Sequence, residues 1–503
     1  MSRRFSFLCG LSSLWMVLIF SLPSVFGQGY LDLEDQIVEH VLDNGLKLLI
    51  LERHEAPVFS FLTYVDVGGV DEEVGNTGLA HMFEHMAFKG TRSIGTTDYG
   101  KEKAALRKTD QAFERLLAER RKRGQADSTR LAQLEEGFKK AQEEAAGYVV
   151  SNEYGRIIEE AGGVGLNATT GSDATRYFYS LPSNKLELWV FLESDRMAHP
   201  VLREFYKERD VVMEERRMRS ESQPIGRLIE EFLALAYKAH PYGQPVIGHM
   251  SDLEGLTRRE ARTFYRKHYI ASNMVTAVVG DVEADEVIRL AREYFSKLPT
   301  GPKPPPVETI EPPQLGERRV VIEDPSQPLL LTGYHKPDAR HPDDAVFDAI
   351  TDIVGQGRTS RLYKSLVKEK KIALQVGAFP GFPGNKYPNL FVFYAFPAKG
   401  HTAEEMEEAI DAEIERIKTE LVSEEELKGV KTRAKANFIR GLRSNSGMAS
   451  QLTFYQGITG DWRNLFRVVD QINAVTAEDI QRVANAYFQK KNRTVGMLVT
   501  KGE

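Results

Sequence analysis

Apolar residues recur along this chain in two rhythms. Short, nearly unbroken runs predict strands: Phe59 to Gly69, Met274-Val275-Thr276-Ala277-Val278-Val279, and Val495-Gly496-Met497-Leu498-Val499. Helical spacing marks the run Ala345 to Val354 and the amphipathic stretches that follow Leu256-Thr257 and Val475-Thr476. The last two stretches are copies of one pattern. Each opens on a threonine suited to cap a helix, passes an aromatic residue (Tyr269, Phe488), reaches an asparagine and leads into one of the apolar strands. Thr257 to Asn273 and Thr476 to Asn492 are both 16 positions apart.

Between the copies, Leu298-Pro299-Thr300-Gly301-Pro302-Lys303-Pro304-Pro305-Pro306, continuing to Pro312-Pro313, holds too much proline for a helix or a central strand. The pattern predicts an α+β fold of two homologous halves, each a mixed sheet with helices packed on one face. The halves span residues 30–297 and 318–503, with a linker over 298–317. Within the first half, about 101–150, thin apolar stripes at Leu106, Phe113, Leu117 and at Leu131, Leu134, Phe138, Ala141 are separated by Gly124-Gln125-Ala126-Asp127-Ser128. They predict an inserted helical hairpin that buries its apolar face mainly against itself. Such a hairpin is a solvated decoration or, alternatively, a lid or docking arm.

Composition changes the picture at the front of the chain. Arg3 and Arg4 precede an apolar stretch from Phe5 to Phe26, which reads as a signal peptide over residues 1–27 and places the protein in the periplasm or outside the cell. A retained membrane anchor is the alternative, because the stretch is nearly long enough to span a bilayer. The only cysteine, Cys9, lies in this segment, so the mature chain has no disulfide, no thiolate metal site and no cysteine nucleophile. A formal net charge of -6 over the whole chain gives no electrostatic case for nucleic acid or an anionic membrane.

Candidate chemistry is concentrated in Gly78-Leu79-Ala80-His81-Met82-Phe83-Glu84-His85-Met86-Ala87-Phe88-Lys89-Gly90-Thr91. On a helix, His81 and His85 stand one turn apart on one face and can reach one metal ion. Glu84 lies beside them without being used as a ligand, where a general base for hydrolysis is needed. The order His-x-x-Glu-His inverts the commoner His-Glu-x-x-His. The five residues alone also occur by chance in helices. Their flanks are more specific.

With its Gly-Leu-Ala lead-in and Phe-Lys-Gly-Thr exit, and with Leu42-Asp43-Asn44-Gly45-Leu46 upstream, the segment resembles the insulinase or pitrilysin (inverzincin) family of zinc metalloendopeptidases, in particular its shorter, mitochondrial-processing-peptidase-like bacterial type. The resemblance implies one Zn2+ per chain and a third ligand from a later glutamate that follows another by seven residues. Glu208 and Glu215 match that spacing. Glu215 is then the ligand, with Glu214 its rival, and Glu208 a partner that orients a histidine. Read without the motif, the same helix is an ion-paired, solvated face. From His85 to Glu215 is 130 positions, more than family members usually have, and the excess falls in the predicted hairpin.

The glycine-rich Gly162-Gly163-Val164-Gly165-Leu166-Asn167-Ala168 lacks the ending of a phosphate loop and resembles the family's substrate-pairing edge strand, which makes Asn167 and Ala168 candidate substrate-binding residues. His240-Pro241-Tyr242-Gly243 is also family-like and reads as structural. The resemblance implies cleavage of peptides or unfolded polypeptide by a metal-activated water, with Glu84 as base and the second half, which lacks the histidine pair, closing over the first. A homodimer and a pairing with a separately encoded inactive subunit both stay open. So do two other functions: a non-catalytic partner subunit of a processing peptidase, and a non-peptidase zinc hydrolase.

Overall fold

The computed structural model describes residues 31–500; the predicted signal peptide lies outside them. Two sheets organise the chain. The first joins β1 (Val38–Val41), β2 (Lys47–Glu52), β3 (Val58–Val65), β4 (Val164–Thr170), β5 (Thr175–Pro182) and β6 (Met274–Gly280) in the order β1-β2-β6-β3-β5-β4. The second joins β7 (Arg318–Glu323), β8 (Leu329–Lys336), β9 (Ala373–Phe382), β10 (Asn389–Pro397) and β11 (Arg493–Val499) in the order β7-β11-β8-β10-β9. Removing β1 from the first order leaves the second order strand for strand. β2–β6 and β7–β11 are the parallel pairs, and the other pairings are antiparallel.

The central strands are unbroken apolar runs because both of their faces are buried. In β2, Leu48 and Ile50 face one core while Leu49 and Leu51 face another. In β3, Phe59 and Phe61 alternate with Leu62 and Tyr64 in the same way. Helices of the first half cover the first of these faces. The other is covered by a helix from the second half, Asn445–Thr459, through Met448, Ala449 and Leu452. The exchange is reciprocal. Helix Pro224–Ala236 of the first half lays Leu228 and Phe232 on the second sheet against Leu329, Leu331, Val392 and Leu498. Gly333 and Gly496 lie beneath Phe232, where a Cβ on Gly333 would crowd its ring.

Polar contacts tie the same boundary. Lys386 of the second half and Lys303 of the proline-rich stretch both pair with Asp66, at 2.5 and 2.9 Å. Asp173 accepts from the Tyr242 hydroxyl (2.5 Å) and from the backbone N–H of Asn385 (2.6 Å). Residues 299–315 carry no helix or strand.

The hairpin consists of helices Tyr99–Arg120 and Ser128–Ala146. They run antiparallel, with Lys108 paired to Glu144 and Arg120 to Glu135. The expectation that it buries its face mainly against itself is incomplete: Phe113 packs on Phe138 at 5.2 Å across the hairpin, and both also reach the main core of the first half. Phe113 is fully buried in the main core of the first half, 4.6 Å from the Tyr206 ring and under the Arg209 guanidinium, and Phe138 also packs on Tyr206. A thin stripe suffices because aromatic side chains each bury a large area on a partner helix.

Truncating Phe232 to Ala should cost about 3–5 kcal/mol of stability. Hydrogen exchange during denaturant unfolding should show peptides from both halves opening together. Separate transitions for the two halves would mean that the exchanged helices do not couple them.

Candidate metal centre

The helix Leu79–Met86 follows β3 and lies beside β4 and β5. Its N-terminus is capped from a distance: Gly78 N–H and Ala80 N–H donate to the Glu72 carboxylate at 2.7 and 2.6 Å, satisfying donors that a helix start leaves free. Gly78 sits at φ +91, with no room for a Cβ against the Ile247 carbonyl. Leu79, Met82, Phe83 and Met86 anchor the helix in the core, and Phe83 stacks on Phe264 and Tyr265. His81, Glu84 and His85 are left on the remaining face.

The loop that leaves this helix is held by one side chain. Arg203, 1% exposed, donates to the carbonyls of Lys89 (2.6 Å), Thr91 (2.6 Å) and Ile94 (2.7 Å) and forms a bidentate pair with Glu102 at 2.8 and 3.1 Å. All five guanidinium N–H groups are used. Gly90 and Gly95, both at positive φ, lie against this guanidinium, and a Cβ on either would collide with it. Glu102 belongs to the first helix of the hairpin and is fully buried.

Opposite stands the helix Phe205–Arg216, with Glu208 and Glu215 on one face. The His81 and His85 rings are 4.8 Å apart and nearly perpendicular. Glu215 Oε2 lies 3.8 Å from His81 Nε2 and 3.3 Å from His85 Nε2. One donor atom from each residue falls within 4.8 Å of the others. Glu208 lies 3.6 Å from His85 Nδ1, and its other oxygen is paired with Lys89. Glu214, the rival ligand, points away: its side chain is 60% exposed and paired with Arg217.

Burial pushes the His81 imidazole below its ordinary range, and the adjacent His85 adds to this, so the neutral, ligating form is favoured. Glu208 acts in the opposite sense on His85 and raises it. Two imidazoles and one carboxylate, mostly buried and converging without a thiolate, fit Zn2+ with a position left open. Glu84 is half-buried and electrostatically coupled to both histidines. Asn167 and Ala168 lie on β4, whose far edge is unpaired among the described residues; Ala168 is buried and its N–H donates to Asn167 Oδ1 at 2.8 Å. His240 and Tyr242 lie with Tyr237 at the boundary of the halves.

Residues 48–114 and 145–249 match the family model for insulinase (peptidase family M16), and residues 255–434 match that for the peptidase M16 inactive domain. The chain belongs to this family. It is 29% identical over 498 residues to the zinc protease PqqE of Helicobacter pylori, with 98% of each chain covered. It is 22% identical over 468 residues to a probable mitochondrial-processing peptidase subunit beta of Arabidopsis thaliana, covering 91% of this chain and 77% of that protein. The crystal structure of a protease from Helicobacter pylori superposes with a TM-score of 0.77 at 28% identity, covering 92% of this chain and 99% of that one. The M16 match leaves residues 115–144 of the hairpin unmatched. In the second half the helix Asp344–Ile350 follows β8 as the histidine-bearing helix follows β3, and it carries no histidine.

Sequence reading missed the residues that hold this M16 donor set in place. Arg203 and Glu102 are 101 positions apart and share no local pattern. Arg219 was legible in principle, being one helical turn past Glu215, and it donates to Glu215 Oε1 at 2.6 Å. It sits in a π turn, Arg217–Glu221, closed by Ser222 N–H donating to Arg217 O at 2.7 Å. Gly226, in the first turn of the exchanged helix, packs on that turn so closely that a Cβ would collide with the Arg219 carbonyl.

Arg219→Met and Gly226→Ala should each weaken zinc binding by about tenfold, the range for residues that orient a ligand. Competition with a chelator measures this, and native affinity in both variants would show that Arg219 does not restrain Glu215.

Deleting residues 103–147 strips Phe113 and Phe138 from Tyr206 and should lower zinc occupancy by loosening the helix that carries Glu215. A folded deletion variant with full zinc content would restore the picture of a self-contained hairpin.

Proposed function

We propose that the protein is a zinc-dependent endopeptidase acting on peptides or unfolded segments. The observation that carries this reading is the convergence of His81, His85 and Glu215, with Glu84 on the same helix face, beside the unpaired edge of β4. His81, His85 and Glu215 would hold one Zn2+, which when bound supplies Lewis-acid chemistry to a water and a scissile carbonyl. Glu84 takes a proton from the attacking water on its carboxylate and returns it to the leaving amine. Glu208 holds His85 through Nδ1 and fixes the orientation of its ring.

The substrate backbone adds as a strand on β4, so main-chain hydrogen bonds give grip without reading side chains. Asn167 and Ala168 are the contact residues. The Ala168 N–H, bonded locally to Asn167 Oδ1, is the donor that a substrate carbonyl would claim. Such pairing demands an extended segment, which favours peptides and unfolded chains over folded proteins. The second half serves as a non-catalytic cover, in keeping with the inactive-domain model that it matches.

The N-terminal apolar stretch supports export, and no described helix is long and apolar enough to cross a membrane. Assembly as a homodimer or with a separate inactive subunit is consistent with the relative named as a processing-peptidase subunit.

Glu84→Gln keeps the shape and removes the base, so zinc content should be unchanged and hydrolysis of an unstructured peptide should fall by at least about 100-fold. Glu215→Gln should lose zinc and activity together, whereas Glu214→Gln should change little. Near-normal turnover in the Glu84 variant would remove it as the base, and the reverse glutamate pattern would move the ligand by one residue.

A further inference from the structure

The hairpin carries a charge distribution that the catalytic reading does not use. Between Arg115 and Arg130 stand six cationic side chains, Arg115, Arg120, Arg121, Lys122, Arg123 and Arg130, against two acidic ones, Glu119 and Asp127, in a chain whose formal net charge is -6. Pairing is partial: Glu119 takes Lys122 and Arg130, and Arg120 pairs with Glu135. Glu119 is 3% exposed and turned inward to Lys122, Arg130 and the Asp127 N–H. Asp127 is occupied in capping the second helix, accepting from Thr129 N–H and Arg130 N–H. All six cations are exposed, and Arg115, Arg121 and Arg123 have no acidic partner among the described residues.

Two further observations separate this tip from an ordinary solvated face. Arg123 is held at φ +52, a conformation that disfavours a bulky side chain, next to a glycine that could have taken it. The strain is retained with a cation at the apex of the turn. The family match also stops at residue 114 and resumes at 145, so this tip is an addition to the common fold.

We propose that the hairpin tip, residues 115–130, docks the protein on an anionic phospholipid surface. The exposed cations flank the turn on both helices, and none of the exposed large apolar side chains lies in the segment, so attraction to headgroups operates without insertion. Export, inferred above from the N-terminal segment, brings the chain to a phospholipid surface and away from nucleic acid. The body is acidic, so the field orients the molecule with the tip toward the membrane.

The test measures co-sedimentation of the protein, as released by the expressing cell, with phosphatidylcholine vesicles with and without phosphatidylglycerol. Binding should require the anionic lipid and should weaken as salt is raised. The triple variant Arg115→Gln, Arg121→Gln, Arg123→Gln should lower partitioning by on the order of 100-fold, since each surface cation contributes roughly tenfold or less. If that variant unfolds early, Arg123→Gly is the second probe: it relieves the backbone strain, so its unfolding midpoint should hold or rise while vesicle binding falls. Equal binding to both vesicle types, or unchanged binding in folded variants, would overturn the proposal. So would binding to polyglutamate in the absence of vesicle binding, which would assign the tip to an acidic polypeptide.

Discussion

Each sheet of this molecule is apolar on two faces, and each half of the chain covers only one of them with its own helices. Buried strands need apolar partners on both sides. The second face of each sheet is therefore closed by a helix from the other half, through Phe232 on one side and Met448 and Leu452 on the other. This exchange constrains everything else. It fixes the two halves against each other, and it brings the start of helix Pro224–Ala236 onto the π turn that presents Arg219 to Glu215. The packing that joins the halves and the geometry of the donor set share one short stretch of backbone.

A second constraint acts on the histidine-bearing helix from its exit. Arg203 gathers three carbonyls of the following loop, and its charge is tolerable in the interior because Glu102 is bound to it bidentately. Removing either partner would leave an uncompensated buried charge. Glu102 comes from the hairpin, so an element that reads as an accessory contributes to the support of the site. The same holds for Phe113 and Phe138 on Tyr206.

Within the candidate site the two histidines are shifted in opposite directions. Burial lowers the His81 imidazole, Glu215 has one oxygen toward the histidines and the other on Arg219, and Glu208 is shared between His85, which it raises, and Lys89. Glu84, coupled to both histidines, stands on the same helix face without being needed as a donor.

The sequence alone determined what is periodic and local. It showed the apolar runs that became β3, β6 and β11, the repeated threonine-to-asparagine pattern of the two halves, the common face of His81 and His85, and the shared face of Glu208 and Glu215. These follow from helix and strand geometry within a few residues. Only the tertiary structure decided the rest. It placed helix Phe205–Arg216 opposite residues 130 or so positions earlier, made Glu102 the partner of Arg203, turned Glu214 outward, and seated the hairpin aromatics on Tyr206 as well as on each other. It also decided which half covers which sheet. Such contacts depend on the path of the whole chain between distant segments, and no local period records that path.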